Sequence, residues 1–180
     1  MEKLKNYDIS FSGLNLGRHE FDFEIAQPFF DLFEFDQDFS KPELRLSIIL
    51  DKKSNFLDLF FNLSGNIELI CDITNEPYNQ EVKAKNEIIV KFGEDFDFSD
   101  DDNWIIPFSA HSVNVAQMIY EMSLLAVPVK RIHPDVASGK SQSEMIDLLE
   151  KYSPYESDDS NEEEGDPRWE ILKKLKNNNN

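Results

Sequence analysis

The sequence predicts an α+β fold: a curved or barrel-like antiparallel sheet with one main covering helix, then a disordered acidic linker and a short C-terminal helix. Three observations carry that reading. Between Glu43 and Phe92, apolar residues alternate with polar ones in runs joined by loops of three to five residues, links too short for parallel crossovers. One strong helix signal follows, near residues 115–126. After Pro134 the apolar periodicity mostly stops and charge takes over.

In chain order, Y-D-I-S-F-S-G-L alternates Ile9 and Phe11 with polar residues, as a half-buried strand does. Gly17-Arg18 is a turn candidate, and H-E-F-D-F-E-I then sets Phe21, Phe23 and Ile25 on one face. Pro28 suits the first turn of a short helix over F-F-D-L-F-E, while F-E-F-D-Q-D-F fits neither period cleanly. Leu44, Leu46, Ile48 and Leu50 share the face of a strand, and Asp51–Asn55 makes a hairpin loop. Leu57, Leu59, Phe61 and Leu63 form the next run, Ser64-Gly65-Asn66 turns, and Ile67, Leu69 and Cys71 repeat the pattern. After a turn at Asn75-Glu76-Pro77, the last run holds Val82, Ala84, Ile88, Val90 and Phe92. Apolar residues also occupy the second face (Ile49, Phe56, Phe60, Ile70, Ile89), which favours a strongly curved or barrel-like sheet over a flat one with a solvated face.

The helix opens with a capping box of Asn114 and Gln117 and a staple of Val113 and Met118. Val115, Met118, Ile119, Met122, Leu125 and Ala126 recur on one face, and Pro128 ends the helix. Before it, E-D-F-D-F-S-D-D-D at 94–102 holds six acids and no base, as an exposed loop does. The organisation is therefore a β-rich domain over 1–135, an acidic linker over 136–166 and a short basic tail over 167–180. Within the linker, Ser141 to Leu149 fits a short helix, and P-Y-E-S-D-D-S-N-E-E-E-G-D has seven acids and no base, a composition that resists folding. In the tail, D-P-R-W-E-I-L-K-K-L-K starts as a helix does and spaces Trp169, Leu172 and Leu175 along one side.

The 180 residues carry 36 acids against 18 bases, a net charge of −18. Such a field disfavours a broad hold on RNA or DNA and favours basic partners. No apolar run approaches the ~18 residues of a membrane span, and M-E-K-L-K-N-Y-D lacks the apolar stretch of a secretory signal. With Cys71 the one cysteine, the expectation is a cytoplasmic protein without a disulfide.

No enzyme motif stands out. There is no G-x-S-x-G elbow and no phosphate-binding glycine pattern. His19, His111 and His133 are far apart, so no zinc site is expected, and Cys71 faces inward on its strand as a structural thiol. An EF-hand count from Asp95 places Asp100 where glycine is required and Ile106 where glutamate is. Neither a cofactor nor a metal is expected.

Three stretches together resemble the YceD family, the large ribosomal RNA subunit accumulation proteins. They are L-S-G-N-I-E-L-I-C-D from Leu63, V-N-V-A-Q-M-I-Y-E-M-S-L-L-A-V-P-V with R-I-H-P after it, and the terminal D-P-R-W-E-I-L-K-K-L. The resemblance runs from about Tyr7 to Lys176. It implies a non-enzymatic factor for the synthesis, processing or stability of large-subunit ribosomal RNA. In many bacteria the family's gene lies beside that of a small basic large-subunit ribosomal protein. Many members carry C-x-x-C where this chain has Cys71 and Thr74, and the family's later cysteines are missing here, so no metal site is carried over.

Charge and resemblance together point to a basic ribosomal protein or a large-subunit assembly intermediate as partner. The candidate partner-binding residues are Asp100, Asp101 and Asp102 in the acidic loop, with Arg168, Trp169, Leu172, Lys173, Lys174 and Leu175 in the tail. Direct RNA contact is expected only through that tail, which either anchors a partner or docks on its own domain. The alternatives are an acidic mimic of nucleic acid that inhibits a binding protein, a generic protein-binding module, or an enzyme of unknown class.

Overall fold

The computed structural model describes residues 2–138 and 151–152. A 3-10 helix (Glu2–Tyr7) leads into β1 (Asp8–Ser10), β2 (Gly17–Ala26) and a one-turn helix, α1 (Gln27–Phe30). Three long strands follow: β3 (Ser40–Lys52), β4 (Phe56–Ile70) and β5 (Pro77–Gly93). Then come β6 (Asn103–Pro107), β7 (Ser112–Asn114), α2 (Ala116–Leu125) and α3 (Pro134–Ala137).

One sheet holds five strands in the order β2-β3-β4-β5-β6, and β1 with β7 makes a second of two strands. The meander β2 to β5 is antiparallel, as its short links require. The apolar piece W-I-I-P returns parallel to β5, with Val90 beside Trp104 and Phe92 beside Ile106. A nine-residue connection, 94–102, makes room for that reversal.

The sheet is curved in expectation but open in fact, with β2 and β6 at its edges. No barrel closes. Short β6 reaches only Ile89 to Gly93 of β5, and Asp97 bridges Ile105 across its outer edge. On the other edge, β2 turns Glu20, Asp22 and Glu24 to solvent. The second-face residues that favoured a barrel are half-buried (Ile49, Phe60, Ile89) or exposed (Ile70).

A second correction concerns Ser64-Gly65-Asn66. It is no turn, but the interior of a fifteen-residue β4. Gly65 has φ 156° and pairs with Leu44. A Cβ there would meet the Glu43 carbonyl and lie 2.7 Å from Leu44 Cα. The neighbouring strand shifts register between Ser40 and Glu43, with Lys41 at φ 46°. The glycine thus permits close backbone approach at a sheet irregularity, a role that resembles a turn when read from sequence.

The core lies between the inner sheet face and α2. Leu46, Ile48, Leu57, Leu59, Leu63 and Ile88 are almost completely buried, and Met118, Ile119 and Met122 cover them from the helix side. The short helix expected at Pro28 and the ambiguous stretch after it supply an aromatic plug: Phe30 packs edge-on to Phe29 and Phe39, and Phe33 stacks on Tyr120 at 4.1 Å. Val115, not the expected Asn114, takes the N-cap position of α2; Asn114 stands one residue earlier, its Oδ1 accepting from Ala116 N–H at 3.1 Å. The expected capping box does not form, because Gln117 donates to Glu121 instead. Leu125, placed by periodicity on the buried face, is 85% exposed.

Val136 and Ala137, expected to open the linker, belong to α3. The rest of the linker to Asp166, except Ser138, Lys151 and Tyr152, and the whole tail lie outside the described residues.

The close approach at Gly65 is testable. Gly65→Ala is expected to destabilise the fold by about 2 kcal/mol, because it combines a strained φ with a backbone clash. The readout is a lower urea midpoint at unchanged slope. Gly13→Ala, which has nothing within 4 Å, should stay within about 0.5 kcal/mol of the parent. Equal midpoints for the two variants would refute the close-packing account.

Candidate partner-binding groove

The residues around Asp102 are organised by the place where β6 begins. Ile89 N–H donates to the Asp102 carbonyl at 2.9 Å, joining the acidic turn to β5. Within that turn Asp100 is a structural residue. Its Oδ1 accepts from the N–H groups of Asp102 and Asn103, and its Oδ2 accepts from the Asn103 amide. Asp97 does the same upstream, accepting from the backbone and hydroxyl of Ser99. The Ser99 hydroxyl, then its N–H, hold the Asp97 carboxyl below its ordinary range. For Asp100 the Asp102 N–H is the main cause of a lowered pKa, opposed by desolvation and aided by Asn103 and the Lys91 charge.

Asp101 and Asp102 are free of these duties and line a groove of about 350 Å³. One wall is β5 at Lys83–Asn86, before β6 begins. The other is α2 and the residue after it, through Met118, Met122, Leu125 and Ala126. The Asn86 amide reaches Met118 Sδ at 3.2 Å and ties the walls together. Three acids (Asp101, Asp102, Glu121) and two bases (Lys83, Lys85) surround this apolar interior.

The structure thus divides the predicted acidic trio. Asp100 is spent on the turn, while Asp101 and Asp102 face the groove. Arg168, Trp169, Leu172, Lys173, Lys174 and Leu175 lie outside the described residues. Sequence reasoning missed the apolar wall, because Met118, Met122 and Leu125 share one helical period, yet the two methionines are buried in the core and only their edges line the groove, while Leu125 is exposed beside the strand edge.

Larger hollows lie on the solvent face of the sheet, one of about 600 Å³ lined by Glu24, Glu43, Arg45, Glu81 and Lys83. Opposite charges interleave there, and Lys83 pairs with Glu81 at 2.7 Å. That face offers no field of one sign.

A separate contact joins two of the sequence motifs. Cys71 is buried and free, and His133 N–H donates to its Sγ at 3.3 Å. Asp72 and Arg131 exchange two bonds, Asp72 N–H to the Arg131 carbonyl at 2.7 Å and Arg131 N–H to Asp72 Oδ2 at 2.9 Å. R-I-H-P is therefore stitched to the end of L-I-C-D. Burial pushes the Cys71 thiol up, but the Thr74 hydroxyl and the N–H groups of His133, Thr74 and Ile73 outweigh it and bring it to about 7. Thr74 Oγ1 makes no hydrogen bond of good geometry, so it acts on the sulfur as a nearby dipole. Among the described residues no group of three or more His, Cys, Asp or Glu is arranged to hold a metal.

These features define an α+β domain whose distinctive surface is a strand edge beside a helix. The sequence profile of the family described as Large ribosomal RNA subunit accumulation protein YceD matches residues 59–176. The chain belongs to that family. No curated protein and no solved structure matches it. The matched span takes in both walls of the groove, Asp101 and Asp102, but not β2 or β3.

The division of the acids has a measurable consequence. Lowered carboxyl pKa values mean that the folded chain binds those protons less tightly than the unfolded one. The stabilisation from Asp97 and Asp100 is full above the ordinary value of 3.8 and is lost as pH falls through the lowered values. Asp100→Ala is expected to lower Tm at neutral pH and to weaken the acid-side decline. Asp101→Asn and Asp102→Asn should leave Tm within about 2 °C of the parent. Thermal melts from pH 7 to 2 check both, and an unshifted Asp100→Ala Tm at pH 7 would remove the structural role.

Proposed function

We propose that this YceD-family chain supports large-subunit ribosomal RNA accumulation as a binding factor, holding a basic ribosomal protein or an assembly intermediate. Membership of a family named for that accumulation supports a role in ribosome biogenesis. The observation that carries the binding reading is the groove, where Asp101 and Asp102 line a slot with apolar residues on its helix wall and Lys83, Lys85 and Glu121 around it. A lysine or arginine side chain fits such a site with its stem along the exposed Leu125 and its charge at the carboxylates. The net charge of −18 draws a basic partner in and repels free nucleic acid. The basic tail, with Arg168, Trp169, Lys173 and Lys174, is the part of the chain suited to touching RNA or a second surface of the partner.

The test is a pulldown at low and moderate salt, with the captured proteins identified. Ribosomal proteins of the large subunit are expected, whereas one nuclease or polymerase would favour an acidic mimic of nucleic acid. With the partner in hand, the double change Asp101→Asn and Asp102→Asn should slow association about three- to tenfold at low ionic strength. The difference should shrink at about 0.5 M salt, where the Debye length is only a few ångströms. An on-rate unchanged by the double variant would reduce those aspartates to a solubility feature.

A further inference from the structure

The groove has a backbone wall as well as side chains, and its geometry names a binding mode. Within a strand, the N–H and C=O of one residue point to the same side, and those of the next residue point to the other. Ile89 N–H points toward β6, because it donates to Asp102. Register between β4 and β5 is unbroken from Pro77 to Lys91. The backbone groups of Lys83, Lys85 and Glu87 therefore point the same way as Ile89, into the groove. β6 begins only opposite Ile89. Among the described residues no hydrogen bond reaches those three N–H and three C=O groups. One step further along, the Glu81 carbonyl is already taken by the Gln80 side chain at 2.8 Å.

We propose that the groove takes an extended, basic protein segment as an added strand on β5, hydrogen-bonded to Lys83, Lys85 and Glu87 in line with β6. This deepens the binding reading above and rests on it. Each property of the occupant follows from one feature. An open strand edge pairs with peptide backbone and not with nucleic acid. Alternate side chains of the added strand point to the inner face, where the 85%-exposed Leu125, beside the edges of the buried Met118 and Met122, calls for apolar residues. Asp101 and Asp102 close the β6 end, and Glu121 flanks the helix wall, so lysine or arginine belongs at that end. A second copy is the poorer occupant, since each chain carries −18.

Among the described residues the edge of β2 is also unpaired, but it offers less. It carries Glu20, Asp22 and Glu24 in a row, the kind of charge that keeps edges apart.

The experiment uses the full chain and a short peptide of alternating valine and serine with a lysine pair at each end. The peptide is expected to slow amide exchange at Lys83, Lys85 and Glu87. Methylating its alternate backbone nitrogens, in the register that faces β5, should weaken binding about tenfold. Lys85→Pro removes one groove-facing donor but no bond to β4. It should weaken binding about tenfold, whereas Lys85→Ala stays within about twofold of the parent. Asp101→Asn with Asp102→Asn should lower affinity while leaving the protected amides the same.

A methylated peptide that binds as well as its parent in both registers overturns strand addition, and so does protection along β2 instead. Protection at 83–87 in the chain without peptide would place its own tail or a second copy there, and also overturns it. If the ribosomal partner is captured through Asp101 and Asp102 yet protects no amide at 83–87, the binding reading stands and strand addition falls.

Discussion

One-sided burial of three long strands is the constraint on which the rest of this domain depends. β3, β4 and β5 run thirteen, fifteen and seventeen residues, and their inner rows of leucine, isoleucine and phenylalanine are almost completely removed from water. Each such side chain contributes roughly 1.5–3 kcal/mol of transfer free energy. A one-residue slip would turn a whole row outward, so the register is strongly fixed. The helix, the aromatic plug of Phe29, Phe30, Phe33 and Phe39, and the docking of R-I-H-P are placed by the surface those strands present.

Unequal strand lengths follow from the same arrangement and create the proposed binding groove. β5 is long because its inner row must serve both the meander and α2. β6 is short because its chain has to reach Pro107 and then turn back toward β7 and the helix entry. Much of β5 therefore keeps an open side next to α2. Sheet edges are usually blunted by charge, and Lys83, Lys85 and Glu87 meet that need. The helix beside them turns a hazard into a slot with an apolar wall.

The excess of acid is not spread without purpose. Some of it is structural, as with Asp97 and Asp100, whose carboxylates hold the turn ahead of β6, and Asp72, which fixes Arg131. Some guards the free edge of β2. Asp101 and Asp102 do neither. They stand where the groove meets the turn, positioned by a neighbour that bears the mechanical load. Surface carboxylates of this kind act mainly on encounter and selectivity.

The amino-acid sequence by itself determined the antiparallel meander, the face of every long strand, the helix near 115–126 and the acidic character of loop 94–102. Those are local matters of period, turn length and composition. The family resemblance, too, rested on short ordered motifs that need no fold to be recognised. Gly65 was misread because a glycine that allows close approach and one that makes a turn look alike without the opposing strand. The barrel was overestimated because half-buried second-face residues such as Ile49 and Phe60 carry the same pattern as fully enclosed ones. Only the tertiary structure decided that β6 is parallel, that the sheet stays open, and that Leu125 faces a groove instead of the core. The physical reason is common to all three: an edge and what lies beside it are relations between segments far apart in the chain, and no local period encodes them.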